Sequence, residues 1–183
     1  MASPSGPPPD PAVGRCVIPR PRCGQKEDRR AAGGLPVRVK SRRSGLSAAY
    51  FDGNPEQVRR IRTWCEQATR LDEGQAAPVV MVVNELVTNA IAHSASGGRH
   101  GRVKVVVEVL PGDFVLVAVT DDGPSARQPI TVPHVAGCDG DSSVRGRGLL
   151  LVSKLSEKWW WTGYSGGPLT VWALIDPQRD PDD

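Results

Sequence analysis

The stretch ELVTNAIAHS, residues 85–94, decides the fold. It continues the apolar run that starts near Val79 and reads as helix. At about 100° per residue, Glu85, Asn89 and His93 fall at successive i, i+4 positions and form one polar stripe. Val82, Val83, Leu86, Val87, Ala90 and Ile91 fill the adjoining arc. The stripe therefore sits at the margin of the buried face. A carboxylate and an amide half out of water are costly to keep idle and well placed to act as a base and a metal ligand. Two glycine motifs follow in order, DDGPS at 121–125 and GRGLL at 146–150.

The second helix is expected over about 78–95, stopped by Ser96-Gly97-Gly98, with 72–77 as a loop before it. Upstream, Ser47 to Phe51 reads as a strand. Asn54 is placed to cap a first helix, with Pro55 at its first position. That helix runs to about Leu71 and carries Val58, Ile61, Trp64, Cys65 and Ala68 as its apolar stripe. Downstream, 103–110 and 114–121 form a Val-rich hairpin around Pro111-Gly112-Asp113. Residues 124–145 show little apolar periodicity and contain Pro124, Pro129 and Pro133. A loop of about 20 residues inside a compact domain is uncommon and usually functional. A third helix is expected from about Gly148 to Glu157, with Leu149, Leu150, Val152 and Leu155 in the core. Residues 158–164 and 169–176 then close a last hairpin. Strand alternation puts Trp159 and Trp161 inward and Trp160 outside.

The chain has 183 residues, room for one domain and an appendage. Residues 1–45 hold ten Lys/Arg against Asp10, Glu27 and Asp28. This local surplus of +7 within an overall +3 leaves −4 on residues 46–183. Residues 1–44 are rich in Pro, Gly and Arg, and with so few large apolar groups they are expected to stay disordered. The basic arm is thin ground for nucleic-acid binding, and a solvated tail is the simpler reading. The folded domain is placed at 45–177 and a polar tail at 178–183. No apolar run is read as approaching the roughly 20 residues that span a bilayer. There is no leader-like h-region either, so the expected location is cytoplasmic. Cys16, Cys23, Cys65 and Cys138 make no C-x-x-C pair, which fits reduced thiols.

Together the three motifs resemble the GHKL (Bergerat-fold) ATP-binding superfamily, most closely its anti-sigma-factor serine kinase branch. The resemblance covers roughly residues 45–176. It implies an α/β (α+β) two-layer sandwich, a mostly antiparallel sheet with helices on one face. It also implies ATP and Mg2+ as ligands. On this resemblance Glu85 is the general base, and Asn89 is the ligand of the magnesium ion that holds the ATP phosphates. Asp121, with Gly123 letting the base approach the backbone, receives the adenine amino group; Asp122 does not. Arg145, Gly146, Arg147, Gly148 and Leu149 form the phosphate turn, and residues 124–145 the lid. Gly167 and Thr170 match a weaker third box. The family's second glycine after D-x-G is Ser125 here. The implied activity is phosphorylation of a serine or threonine on a small antagonist protein, coupled to sequestration of a sigma factor. A homodimer is an open alternative, since relatives of this kind often dimerise. The rival function is a nucleotide-gated protein-binding module without significant kinase activity.

The residues can support this chemistry. Magnesium prefers oxygen ligands and usually bridges substrate phosphates, so one amide oxygen suits it. A carboxylate one turn earlier can take a proton from a hydroxyl. N–H groups at a glycine-led helix start form an anion site.

Overall fold

The computed structural model describes residues 36–39, 41, 43–125, 133, 147–164 and 166–179. Of the expected lid, only Pro124, Ser125 and Pro133 fall among them. Arg145 and Gly146 lie outside the described residues, as does the arm before residue 36.

Among the described residues, six strands form one antiparallel sheet. In chain order they are β1 (Val37–Arg38), β2 (Leu46–Asp52), β3 (Arg102–Val109), β4 (Val115–Thr120), β5 (Lys158–Gly163) and β6 (Leu169–Ile175). Their spatial order is β1-β2-β3-β4-β6-β5. Period-two alternation sets the faces. Val103, Val105 and Val107 of β3 and Val115, Val117 and Val119 of β4 are buried beneath the helices. Lys104, Val106 and Glu108 turn to the other face, in register with Thr120, Ala118 and Leu116. The β3–β4 turn bends through Gly112 and Asp113, both at positive φ.

Three α-helices among the described residues cover one face: α1 (Gln57–Thr69), α2 (Glu73–His93) and α3 (Arg147–Leu155). The helix α2 lies between the other two and over β4 and β6. Its Val79, Val82, Val83 and Val87 are fully enclosed. On α1, Trp64 packs edge-on against Phe51 of β2, with ring centroids 5.5 Å apart. Cys65, beside it, is wholly buried, and burial together with the nearby Glu66 charge pushes its thiol up to about 12. Such a thiol is inert.

Several element boundaries differ from the sequence reading. Regular helix α1 starts at Gln57, because Asn54 Oδ1 and Asn54 O tie down the N–H groups of Glu56 and Gln57 in a preceding turn. It ends at Thr69, with Arg70 left-handed at φ 57. The helix α2 begins at Glu73, so 72–77 is not a loop. Asp72 caps it, its Oδ1 accepting from Gln75 N at 2.9 Å. Pro78 then sits inside the helix. A proline there removes one backbone bond, and the cap and apolar packing outweigh that loss. At 21 residues α2 is also long and apolar enough, by composition, to cross a bilayer, contrary to the reading that no run approaches that length. Its apolar side is spent on the sheet. The pairing of β1 with Tyr50 and Ala49 takes the sheet N-terminal to residue 45. Trp159 packs on the core as expected, but Trp161 stays 36% exposed. β5 is the edge strand at one side of the sheet. Trp160 lies on the outer face, stacked on Trp172 at 6.1 Å. On α3, Leu150 is 45% exposed, so only Leu149, Val152 and Leu155 of that set join the core.

Candidate functional site

The two ends of the site meet through α2. Glu85 and Asn89 are half-buried on its polar stripe, and His93 ends the helix exposed. Asn84 Nδ2 donates to Glu85 Oε1 at 3.3 Å, which leaves Oε2 toward α3. The start of α3 presses on this pair. A Cβ added at Gly148 would stand 2.6 Å from Glu85 Oε2 and 3.5 Å from Asn89 Nδ2. A side chain at this position would make the Glu85 carboxylate shift away from the first turn of α3. The first N–H groups of a helix have no intrahelical partner, so a carboxylate, an amide and the positive end of a helix converge. Arg147 is exposed at the first position of α3. The Leu149 side chain is half-buried and packs against the core.

The other end is the loop after β4. Asp121 Oδ1 accepts from Gly123 N at 2.7 Å and from Leu169 N at 3.0 Å. Both donors go to one oxygen. Oδ2 has no hydrogen bond among the described residues, and Asp121 lines a solvent-open cleft. Burial pushes the Asp121 carboxyl above its ordinary range, and the Asp122 charge adds to this. The N–H bonds from Leu169 and Gly123 pull the other way. Asp122 faces elsewhere, its Oδ2 accepting from Arg102 N at 2.6 Å.

Gly123 has φ +85, and a Cβ there would come within 2.9 Å of the Gly167 carbonyl carbon. The glycine thus serves both the turn and the close approach of the β5–β6 connection. A Cβ at Gly167 would meet the exposed Tyr164 ring, which would have to swing aside. Thr170 is not among the residues lining the cleft. Its hydroxyl lies 2.9 Å from that of Thr120 on the sheet's outer face, and its neighbour Leu169 reaches Asp121 instead.

His93, Ser94, Pro124, Gly166 and Leu169 also line the cleft. His93 stands on the polar stripe, and its i+4 spacing from Asn89 was the available signal. Nothing local marks Ser94 or Leu169, which arrive from the helix end and a distant strand.

Among the described residues, no group of three or more His, Cys, Asp or Glu could hold a metal ion. The donor set around Asn89 fits a hard cation that takes one protein oxygen and draws the rest from phosphates and water.

The solved structures include a similar chain, the histidine kinase domain from the Erythrobacter litoralis EL346 blue-light-activated histidine kinase. It is 21% identical, with a TM-score of 0.41, and the match covers 66% of this chain and 59% of that one. Among curated proteins no match was found. A family model described as a histidine kinase-like ATPase domain matches residues 51–173. That span runs from β2 to β6 and contains Glu85, Asn89, Asp121 and Gly148, so the chain belongs to the histidine kinase-like ATPase domain family.

Proposed function

We propose that this chain is an ATP-dependent serine/threonine protein kinase of the anti-sigma-factor type, acting in the cytoplasm on a small antagonist protein and sequestering a sigma factor. One observation carries the reading: the approach of Gly148 to Glu85 and Asn89, which sets a candidate base and a candidate metal ligand at a helix start. The order of the motifs supports the ATP-binding superfamily to which the anti-sigma-factor branch belongs.

In this reading the adenine amino group donates to Asp121 Oδ2, and the phosphates lie toward the start of α3 near Gly148. Asn89 would hold the Mg2+ ion through its side-chain oxygen. That ion would neutralise phosphate charge when bound. Phosphoryl transfer asks the protein mainly for positioning and charge stabilisation. Glu85 takes the proton of the acceptor serine or threonine hydroxyl as its oxygen bonds to the γ-phosphorus, and the bond to the ADP oxygen breaks. Arg147 offers a charge-assisted contact to the phosphates.

The test is transfer of labelled γ-phosphate from ATP to a purified candidate antagonist protein. The expected result is a phosphoserine or phosphothreonine on that partner, lost in Glu85→Gln. Nucleotide-dependent complex formation without transfer would replace the kinase reading with that of a gated binding module. Absence of adenine-nucleotide binding would overturn both.

A further inference from the structure

Ser96 is fully buried on the 3₁₀ turn Ala95–Gly97 that follows α2. Its hydroxyl donates to Arg102 O at 2.8 Å and accepts from Asp122 N at 2.9 Å. Arg102 N donates to Asp122 Oδ2 at 2.6 Å. These three bonds close a ring among the end of the α2 connection, the first residue of β3 and the residue between Asp121 and Gly123. A parallel link runs from Ala95 N to Gly123 O at 2.7 Å. The turn is also fastened to α2 itself. Ser94 Oγ donates to Ala90 O at 2.7 Å and accepts from Ser96 N at 3.0 Å. Gly53 and Gly101 lie so close to the Ser96 carbonyl that neither has room for a side chain.

We propose that Ser96, with Asp122, is a positioning residue that sets the distance between Asn89 on α2 and Asp121 after β4, and so fixes which nucleotide can engage both at once. The inference rests on the reading of Asn89 and Asp121 as the two ends of an adenine-nucleotide site. Ser96 and Asp122 are not among the residues lining the cleft, so they act through their neighbours. Asp122 is bonded away from the cleft while Asp121 borders it. Holding the first holds the orientation of the second. A ligand gripped at two points is sensitive to their spacing, because a small misplacement loses one grip or the other. The hydroxyl of Ser96 serves as donor and acceptor together. No apolar side chain can replace both bonds. Asp122 is exposed, so water can partly replace its carboxylate, and Ser96 is the stronger node.

The experiment compares ATP and GTP affinity by calorimetry for the full chain and for Ser96→Ala, Ser96→Thr, Asp122→Ala and Asp122→Asn. Ser96→Ala should lower the ATP-over-GTP preference by about tenfold, the factor that about 1.4 kcal/mol represents. Ser96→Thr, which keeps the hydroxyl, should restore it. Asp122→Ala should move the preference in the same direction by less, and Asp122→Asn, which keeps an acceptor for Arg102 N, should not. A purely structural role lowers the melting temperature and the folded fraction. It leaves the preference intact, because both nucleotides meet the same folded population. An unchanged preference in folded Ser96→Ala overturns the proposal. Should that variant fail to fold, an unchanged preference in Asp122→Ala does so. A wild-type protein without adenine preference would sink the underlying site reading, a failure visible before any variant is made.

Discussion

Replacing Asp121 with asparagine should turn the base preference of the cleft while leaving its shape intact. The side chains are nearly isosteric. The asparagine oxygen can take over the N–H groups of Gly123 and Leu169, now at 2.7 and 3.0 Å from Oδ1. Its NH2 group then stands where Oδ2 faces the cleft. An acceptor becomes a donor at that point, opposite the adenine amino group, which is itself a donor. A hydrogen bond to a charged group contributes about 1.5–3 kcal/mol. Its loss should weaken ATP and ADP binding about 10- to 100-fold. GTP presents a carbonyl at the same position and should gain. Stability should move oppositely. Burial raises the Asp121 carboxyl above its ordinary range, so the folded state favours the protonated form. That contribution is fully present below the ordinary aspartate range and is lost as pH rises through the raised folded value. At neutral pH the free protein therefore bears the cost of a buried charge, and Asp121→Asn should melt higher than wild type. The gap should close as pH falls toward the ordinary aspartate range. Calorimetry with both nucleotides and melting curves across pH would check the two halves separately. An Asp121→Asn protein with wild-type ATP affinity and unchanged ATP/GTP ratio would refute the assignment of Asp121 to the base.

Five further substitutions probe the other end of the site, the core and the edge strand. Glu85→Gln should keep nucleotide binding and cut phosphoryl transfer at least about 100-fold, at the low end of what a positioned general base contributes, whereas Asn89→Ala should weaken the magnesium-dependent part of ATP binding itself; single-turnover kinetics and calorimetry with and without magnesium distinguish them. Gly148→Ala places a methyl 2.6 Å from Glu85 Oε2, so transfer should fall sharply with little change in overall stability, read by the same assay alongside a thermal melt. Trp64→Ala should cost about 3–5 kcal/mol of stability, because Trp64 is buried against Phe51. Trp161→Ala, at an exposed position, should stay within about 0.5 kcal/mol by urea denaturation.

What the sequence carried was whatever depends on spacing along one element. The 3.6-residue period put Glu85 and Asn89 at the edge of an apolar arc, and the structure has both half-buried there. The two-residue period of β3 and β4 gave the buried valines. Periodicity failed where another element decides the outcome. Alternation placed Trp161 on the helix side of the sheet, but alternation does not say how much of an edge strand the neighbouring elements cover, and Trp161 stays exposed. A helix start at 78 places Pro78 in the first turn, where proline is tolerated. Asp72 and the apolar packing of the first turns, with Ala76 already buried, carried the helix five residues further back.

The glycines and serines show the same division more sharply. Gly123 announced itself, because an Asp-x-Gly turn after a strand needs a positive φ, and φ there is +85. Gly148 is on a helix, where φ asks for nothing special and glycine costs about 1 kcal/mol against alanine. Its reason is tertiary: the Glu85 carboxylate occupies the space a Cβ would need. Ser96 is harder still to read from the chain, since serine beside Gly97 and Gly98 is ordinary turn composition. Its hydroxyl acquires meaning only when β3 and the loop after β4 bring Arg102 and Asp122 to it, from 6 and 26 positions away. Side chains that contact the nucleotide in the proposed site stand in motifs because chemistry fixes their type. Those that set the distance between them stand outside the motifs, because any residue offering the same donor and acceptor at the right place would serve. The ATP/GTP preference of Ser96→Ala measures how much of the site's selectivity resides in that second group.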